Sequence, residues 1–378
     1  MKAAQFYDKH DIRVEDVPEP IPEEGQVTVD VEWCESSQSH KHYLLTDIPY
    51  SSDLHEYLIG PITVPTKSNP GPNGIHIPVT LGHELCGRVR KPPPGSKFIE
   101  GDAVMIDPRV LCHNCAPCKS GSSASCYHLG YVGGNTGFGG FGEKVVVSEG
   151  SLHKLPKEIR LEDAAVIEPL VIVNHAIKVS GIAKEEWKDK EVLVLGGGPI
   201  GFALLLILRA VGAKKVFVSE PTETRRKQVR EFCEEVINPF EEDVAEKVKT
   251  LTEGRGAEVV FDCAGVLPAL ESAMDALRFE GLYVMVAVWE KPITIPCWKF
   301  LHKHITMKGT LIFGDDDMEE VIEMMLNGKL KGYEKMITGR IALDDIVEKG
   351  FKELINNKDE HIKILVQPRS PRDSVIAG

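Results

Sequence analysis

A chain of 378 residues is long enough for two or three domains, and 42% hydrophobic content supplies them with ample cores. A net charge of −13 argues against nucleic acid or an anionic membrane surface as partner. No apolar run approaches the roughly 18 residues that span a bilayer, and the amino terminus lacks a signal-peptide core, so a cytoplasmic protein is expected.

Residues 1–33 alternate apolar and polar side chains as β-strands do, with a Pro/Glu-rich turn at 18–25. The stretch 33–52 is irregular, and 60–78 is a loop rich in Pro, Gly, Asn and Thr. Strand-like segments return at 85–89 and 102–106, and 137–147 is a glycine turn entering another strand. After Leu155-Pro156 the pattern becomes helical, with a helix over 162–179 broken at Pro169. From Glu191 strands and helices alternate, with helices expected at 199–211, 222–236, 241–252 and 267–278 and a strand at 305–313. That alternation implies parallel βαβ units, a doubly wound sheet. A last strand, 361–366, returns to the first domain.

Within EVLVLGGGPIG (191–201), Gly196, Gly198 and Gly201 occupy G-x-G-x-x-G positions after a strand and before an apolar helix. Missing side chains there permit a tight turn, backbone contact with a pyrophosphate and close helix packing, with Pro199 and Ile200 opening the helix. The strand 215–219 ends in Glu220, about 20 residues on, where a carboxylate accepts ribose hydroxyls and disfavours a 2′-phosphate; NAD is the expected cofactor. Arg225 and Arg226 follow closely and temper that preference, or are surface charges of a helix.

Four of nine cysteines, Cys112, Cys115, Cys118 and Cys126, are spaced C-x2-C-x2-C-x7-C. In a reducing compartment such a cluster is a metal site, and four thiolates close a structural Zn²⁺ tetrahedron; an iron–sulfur cluster is the alternative, disfavoured beside a hydride-transfer domain. His83 and Glu84 form an imidazole–carboxylate pair suited to zinc, though such a pair alone is commonly an ordinary surface pair. Glu168 lies in AAVIEPLVIV, where a carboxylate calls for a cation or a metal.

Several stretches together resemble the zinc-containing medium-chain dehydrogenases, notably sorbitol and (R,R)-2,3-butanediol dehydrogenases: SDLHEYL (52–58), the loop 60–74, PVTLGHELCG (78–87), the four-cysteine lobe, GGFGEKVVV (139–147), IEPL (167–170), VLGGGPIG (194–201) and VSEP (218–221). The resemblance implies a GroES-like β-rich catalytic domain (1–157 with 331–378, the structural zinc lobe at 107–130) joined to a Rossmann domain (158–330). It further implies one structural and one catalytic zinc, a small alcohol or ketone as partner and a homo-oligomer, dimer or tetramer. By the same resemblance Ser52 takes the alcohol proton, His55 relays it and Asp53 orients His83. His83 and Glu84 ligate the catalytic zinc, and Glu168 enters or leaves its shell.

The family pattern before SDLHEY is W-C-G-I-C-G, whose second cysteine is a zinc ligand; here Trp33-Cys34 is followed by a longer segment, 35–51, with Tyr50 at the ligand position. Three readings stand open: Cys34 or His42 supplies the ligand, zinc is held weakly or not at all, or 35–51 is translated non-coding sequence. The expected function is NAD- and zinc-dependent interconversion of a small secondary alcohol, a vicinal diol or polyol such as 2,3-butanediol, and its ketone. The alternatives are a catalytically impaired NAD-binding pseudoenzyme and, disfavoured by the cysteine lobe, a zinc-free reductase.

Overall fold

The computed structural model describes residues 1–36, 53–71, 74–289, 292–357 and 359–369. Among them no helix is long and apolar enough to cross a membrane.

The amino-terminal half is built around the strand Gln26–Ser36. It pairs antiparallel with Leu85–Lys91 and Lys144–Ser148, and also with Lys363–Gln367 from the far end of the chain, where Val366 faces Cys34 and Leu365 faces Glu35. Seven strands make this sheet, and a three-stranded sheet of Asp11–Asp16, Lys2–Asp8 and Val79–Thr80 packs with it. Val27, Val29, Val31, Leu85, Val145 and Phe351 fill the core between them.

The second half holds six parallel strands in the order 235–237, 215–219, 191–195, 257–262, 277–285, 306–309. Alternating side chains of Glu191–Leu195 serve two cores. Val192 and Val194 pack with the helices Ile167–Ser180 and Pro199–Val211, while Leu193 and Leu195 meet Val248, Leu270 and Met274 from the helices opposite. A strand buried on both faces must be apolar throughout, which is why 192–195 reads as a continuous run. The helix Pro199–Val211 buries every residue from Phe202 to Leu208 and ends at Gly212, left-handed at φ +81. The order reverses between 191–195 and 257–262, where ligand crevices open in such sheets.

Three local expectations are corrected. Pro169 does not break a helix, because Ile167–Ser180 runs through it. As third residue of that helix it lies in the first turn, where the missing N–H had no partner to lose. The stretch 222–236 is not one helix: Glu223–Val229 gives way to a tight turn and a strand, Glu235–Ile237, that extends the sheet edge. The strand at 305–313 is confined to Thr306–Gly309.

Candidate functional site

Two groups of side chains of metal-ligating type and one glycine turn sit where these halves meet or project. In the lobe, Cys115 begins the short helix Ala116–Lys119 and its backbone N–H points to Cys112 Sγ at 3.4 Å. The sulfurs stand 3.4 Å (Cys115–Cys118), 3.5 Å (Cys126–Cys112) and 3.9 Å (Cys115–Cys126) apart, and all four lie within 4.8 Å of one another. A zinc–sulfur distance of about 2.3 Å gives a tetrahedral edge of about 3.8 Å, so the thiols match that ion as they lie. The backbone N–H of Cys118 helps pull the Cys115 thiol down to about 6, towards the thiolate a metal needs.

His83 follows Gly82, whose φ of +97 turns the chain; a Cβ there would lie 2.7 Å from Cys34 Sγ and 2.8 Å from the Phe141 nitrogen. Asp53, at the start of the helix Asp53–Ile59, accepts from the Gly82 N–H through Oδ1 at 3.1 Å and places Oδ2 3.2 Å from His83 Nδ1. The other ring nitrogen, Nε2, faces Glu84 Oε1 at 3.9 Å. Glu84 Oε2 accepts from Lys363 Nζ at 2.8 Å, and the same ammonium abuts Glu35. Glu168 completes the set from the first turn of its helix. Glu35, Asp53, Glu84, Glu168 and Lys363 are all buried.

Burial works against protonation of His83, but Asp53 overrides it and pushes the imidazole up to about 9. Burial, reinforced by Glu84, pushes Glu168 up to about 8, and the same two causes carry Glu35 well above the carboxylate range. Burial also opposes ionisation of Glu84, yet Lys363 and His83 hold it below that range. Four carboxyl groups thus crowd one lysine and one histidine out of water, and Glu35 and Glu168 are driven towards the neutral acid; a divalent cation among them would offset the charge that crowding opposes. The set is looser than the lobe: among the described residues no three of these side chains bring ligand atoms within 4.8 Å of one another.

Cys34 Sγ is packed against Gly82 and Gly140, and its burial, with the charges of Asp53, Glu84 and Glu35, holds the thiol well above its usual pKa. Ser52, His42 and Tyr50 lie outside the described residues; His55 is half-buried on the helix Asp53–Ile59.

At the glycine turn, Gly196 takes φ +91 and a Cβ on Gly201 would sit 2.0 Å from the Gly196 carbonyl oxygen. Gly198 precedes the helix, Pro199 opens it and Ile200 packs against the core. Glu220 Oε2 accepts from the Gly197 N–H at 2.6 Å and Oε1 from Thr222 at 2.8 Å, so the acidic residue is fixed beside the turn with lone pairs remaining. Arg225 approaches Asp359 at 3.8 Å, and Arg226 donates to the Glu220 carbonyl. Sequence reasoning missed Asp262, which accepts from Ala264, Gly265, Tyr283 and Trp289 and so fixes the loop leaving the neighbouring strand. It also missed Lys363, whose one signal was a lysine within an apolar strand, IKILV. Tyr57 and Phe313 are core residues, whereas Trp289 is half-buried.

Residues 23–157 match the family described as "Alcohol dehydrogenase GroES-like domain" and residues 199–327 the one described as "Zinc-binding dehydrogenase". The chain is 36% identical to an (R,R)-butanediol dehydrogenase of Neisseria gonorrhoeae over 97% of this chain and 99% of the relative. Against the enzyme of that name from Saccharomyces cerevisiae it is 34% identical over 98% and 99%. The crystal structure of 2R,3R-butanediol dehydrogenase from Bacillus subtilis superimposes with a TM-score of 0.86 at 33% identity, covering 97% of this chain and 99% of that one. On this fold, these donor sets and these matches, the chain belongs to the zinc-containing medium-chain alcohol and polyol dehydrogenases, enzymes that use NAD and zinc.

Proposed function

We propose that the protein oxidises a small vicinal diol, with 2,3-butanediol as the leading example, to its ketone and runs the reverse reduction. The observation that carries this is the approach of Glu168, from the half that also offers a nucleotide turn at Gly196–Gly201, to His83 and Glu84 of the other half. The relatives' names give the substrate class.

Within this reading His83 Nε2, Glu84 and Glu168 hold the catalytic ion, and Cys112, Cys115, Cys118 and Cys126 the structural one. When bound, zinc supplies Lewis acidity towards the alcohol oxygen and NAD the hydride acceptor. The chain's own residues do the rest. Asp53 orients the His83 ring by its approach to Nδ1. Ser52 takes the alcohol proton and His55 passes it towards solvent. Gly196, Gly198, Pro199, Ile200 and Gly201 receive the pyrophosphate at a helix start, Glu220 the ribose hydroxyls, and Arg225 borders that pocket. Residues 1–157 with 331–378 form the catalytic domain and 158–330 the NAD domain.

The protein acts in the cytoplasm as a homo-oligomer. Thr306–Gly309 is an edge strand, and Trp298 and Leu301 beside it are 73% and 68% exposed, an apolar edge that a second copy would cover. Light scattering tests this; a monomer at micromolar concentration overturns it.

The activity is tested on zinc-replete recombinant protein with a panel of diols, polyols and primary alcohols. NADH formation favouring 2,3-butanediol, with NAD preferred to NADP, is expected. Binding of NADH with no diol oxidised would overturn the proposal.

A further inference from the structure

Asp262 ends the strand Ala257–Asp262, level with Leu195 on one side and Met285 on the other, so it stands at the carboxyl edge of the sheet where the strand order reverses. Its side chain is fully buried and meets four donors. Oδ1 accepts from the Ala264 and Gly265 N–H groups, each at 2.9 Å, and Oδ2 from the Tyr283 hydroxyl at 2.8 Å and the Trp289 indole N–H at 3.1 Å. Burial raises the pKa of this carboxyl, and all four donors oppose that rise. One group thus ties the loop leaving its own strand to the loop leaving the next. The two loops also touch, since a Cβ on Gly265 would lie 3.1 Å from Ala287 Cβ and 3.3 Å from the Val288 carbonyl oxygen. Behind them the first loop backs onto the glycine turn, where a Cβ on Gly196 would lie 3.3 Å from the Cys263 carbonyl oxygen. Trp289 is half-buried and packed against the core of this half.

We propose that Asp262 is a positioning residue for the nicotinamide end of NAD, holding Trp289 and the 264–265 loop as the wall against which that ring lies. This inference rests on the reading of Gly196–Gly201 as the pyrophosphate turn. A dinucleotide crosses such a sheet at the point of reversal. With Glu220 taking the adenosine ribose at the end of 215–219, the other nucleotide half extends across 191–195 to the ends of 257–262 and 277–285, where Asp262 ties both loops. A wall fixed from behind by a buried acceptor keeps one pose, and affinity for the ring falls in proportion to the time the wall spends out of it.

Calorimetric titration of the zinc-replete, full-length chain with NADH and with ADP-ribose separates the two ends of the crevice, because ADP-ribose keeps the adenosine half and both phosphates but lacks nicotinamide. Asp262→Asn retains Oδ1 for Ala264 and Gly265 but turns an amide NH2 towards the indole N–H, donor against donor. It is expected to weaken NADH about tenfold, the scale of one buried donor left unpaired, with ADP-ribose within about twofold of wild type. Trp289→Phe removes the indole donor from the other side and is expected to weaken NADH several-fold with the same selectivity; added to Asp262→Asn it should cost little more. Unchanged NADH affinity in Asp262→Asn overturns the proposal. So does an equal loss of both ligands, which a merely loosened sheet would give, and so do fully additive losses in the double variant. Should Asp262→Asn fail to fold, Trp289→Phe alone decides: unchanged NADH binding, or an equal loss of both ligands, overturns the inference. A wild-type chain that takes up neither NADH nor ADP-ribose refutes the nucleotide reading and this inference together, whereas failure in Asp262→Asn alone leaves that reading intact.

Discussion

The two candidate metal centres of this protein are built in opposite ways. The lobe draws four identical donors from the stretch 112–126, and a short helix with backbone N–H groups aimed at sulfur gathers them. The second centre draws Glu35, Asp53, His83, Glu84, Glu168 and Lys363 from distant parts of the chain; Lys363 and Glu84 are 279 positions apart. A site made by local geometry survives changes elsewhere, whereas one made by the fold depends on every element that delivers a donor. It is beside a donor position of the second kind that the sequence departs from the family pattern, in the segment 35–51.

The largest expected effect comes from breaking the local site. Cys115→Ser should remove one zinc per chain by elemental analysis, destabilise the lobe and reduce activity about 100-fold or more, since binding and folding of such sites are one process. Retention of both ions would contradict the lobe's assignment. Next, His83→Ala should leave the lobe zinc and the overall fold in place but lower kcat/KM about 100-fold by removing the ion that acts on the alcohol. If activity persisted above a tenth of wild type, the second centre would be structural.

Gly201→Val probes the other half. Its side chain would run into the Gly196 carbonyl oxygen, 2.0 Å from an added Cβ, so a loss of about 2–3 kcal/mol in stability and a clear loss of NADH affinity by fluorescence titration are expected. Arg109 joins the halves: its guanidinium grips both oxygens of Asp107, donates to the Phe313 carbonyl at 2.6 Å and lies over the Phe313 ring. Arg109→Met strands a buried carboxylate and should destabilise by about 3 kcal/mol in denaturant titration, with zinc content unchanged.

The smallest effect is a pH dependence away from both centres. Burial raises the Asp317 pKa, but His175, Lys178 and the Gly314 N–H outweigh it and hold the carboxyl below its usual value. A depressed folded pKa means stability that is present above the unfolded value of about 3.9 and is lost as pH falls through the folded one. Asp317→Asn should therefore lower stability near neutrality, where the carboxylate's contribution is fully present, and flatten the acid limb of the stability curve below about pH 4.

The same division between local and assembled structure explains what could be read from residues alone. The glycine turn with its following helix and the cysteine lobe are complete within short windows, so spacing was sufficient. Glu235–Ile237 was missed because three residues are too few to show alternation after a helical stretch. Pro169 was misread because proline breaks a helix interior but not its first turn, and the start of Ile167–Ser180 was placed too early. Glu35 and Lys363 were illegible for a different reason: each is one polar residue on a buried strand, and only the antiparallel pairing of Gln26–Ser36 with Lys363–Gln367 brings them together.

The most direct measurement returns zinc to chelator-treated protein in counted equivalents while alcohol-dependent NADH formation is followed. The account predicts little activity with the first equivalent, which fills the lobe, and a rise in proportion to the second, abolished by His83→Ala. Full activity at one equivalent, or none at two with NADH bound, would contradict it.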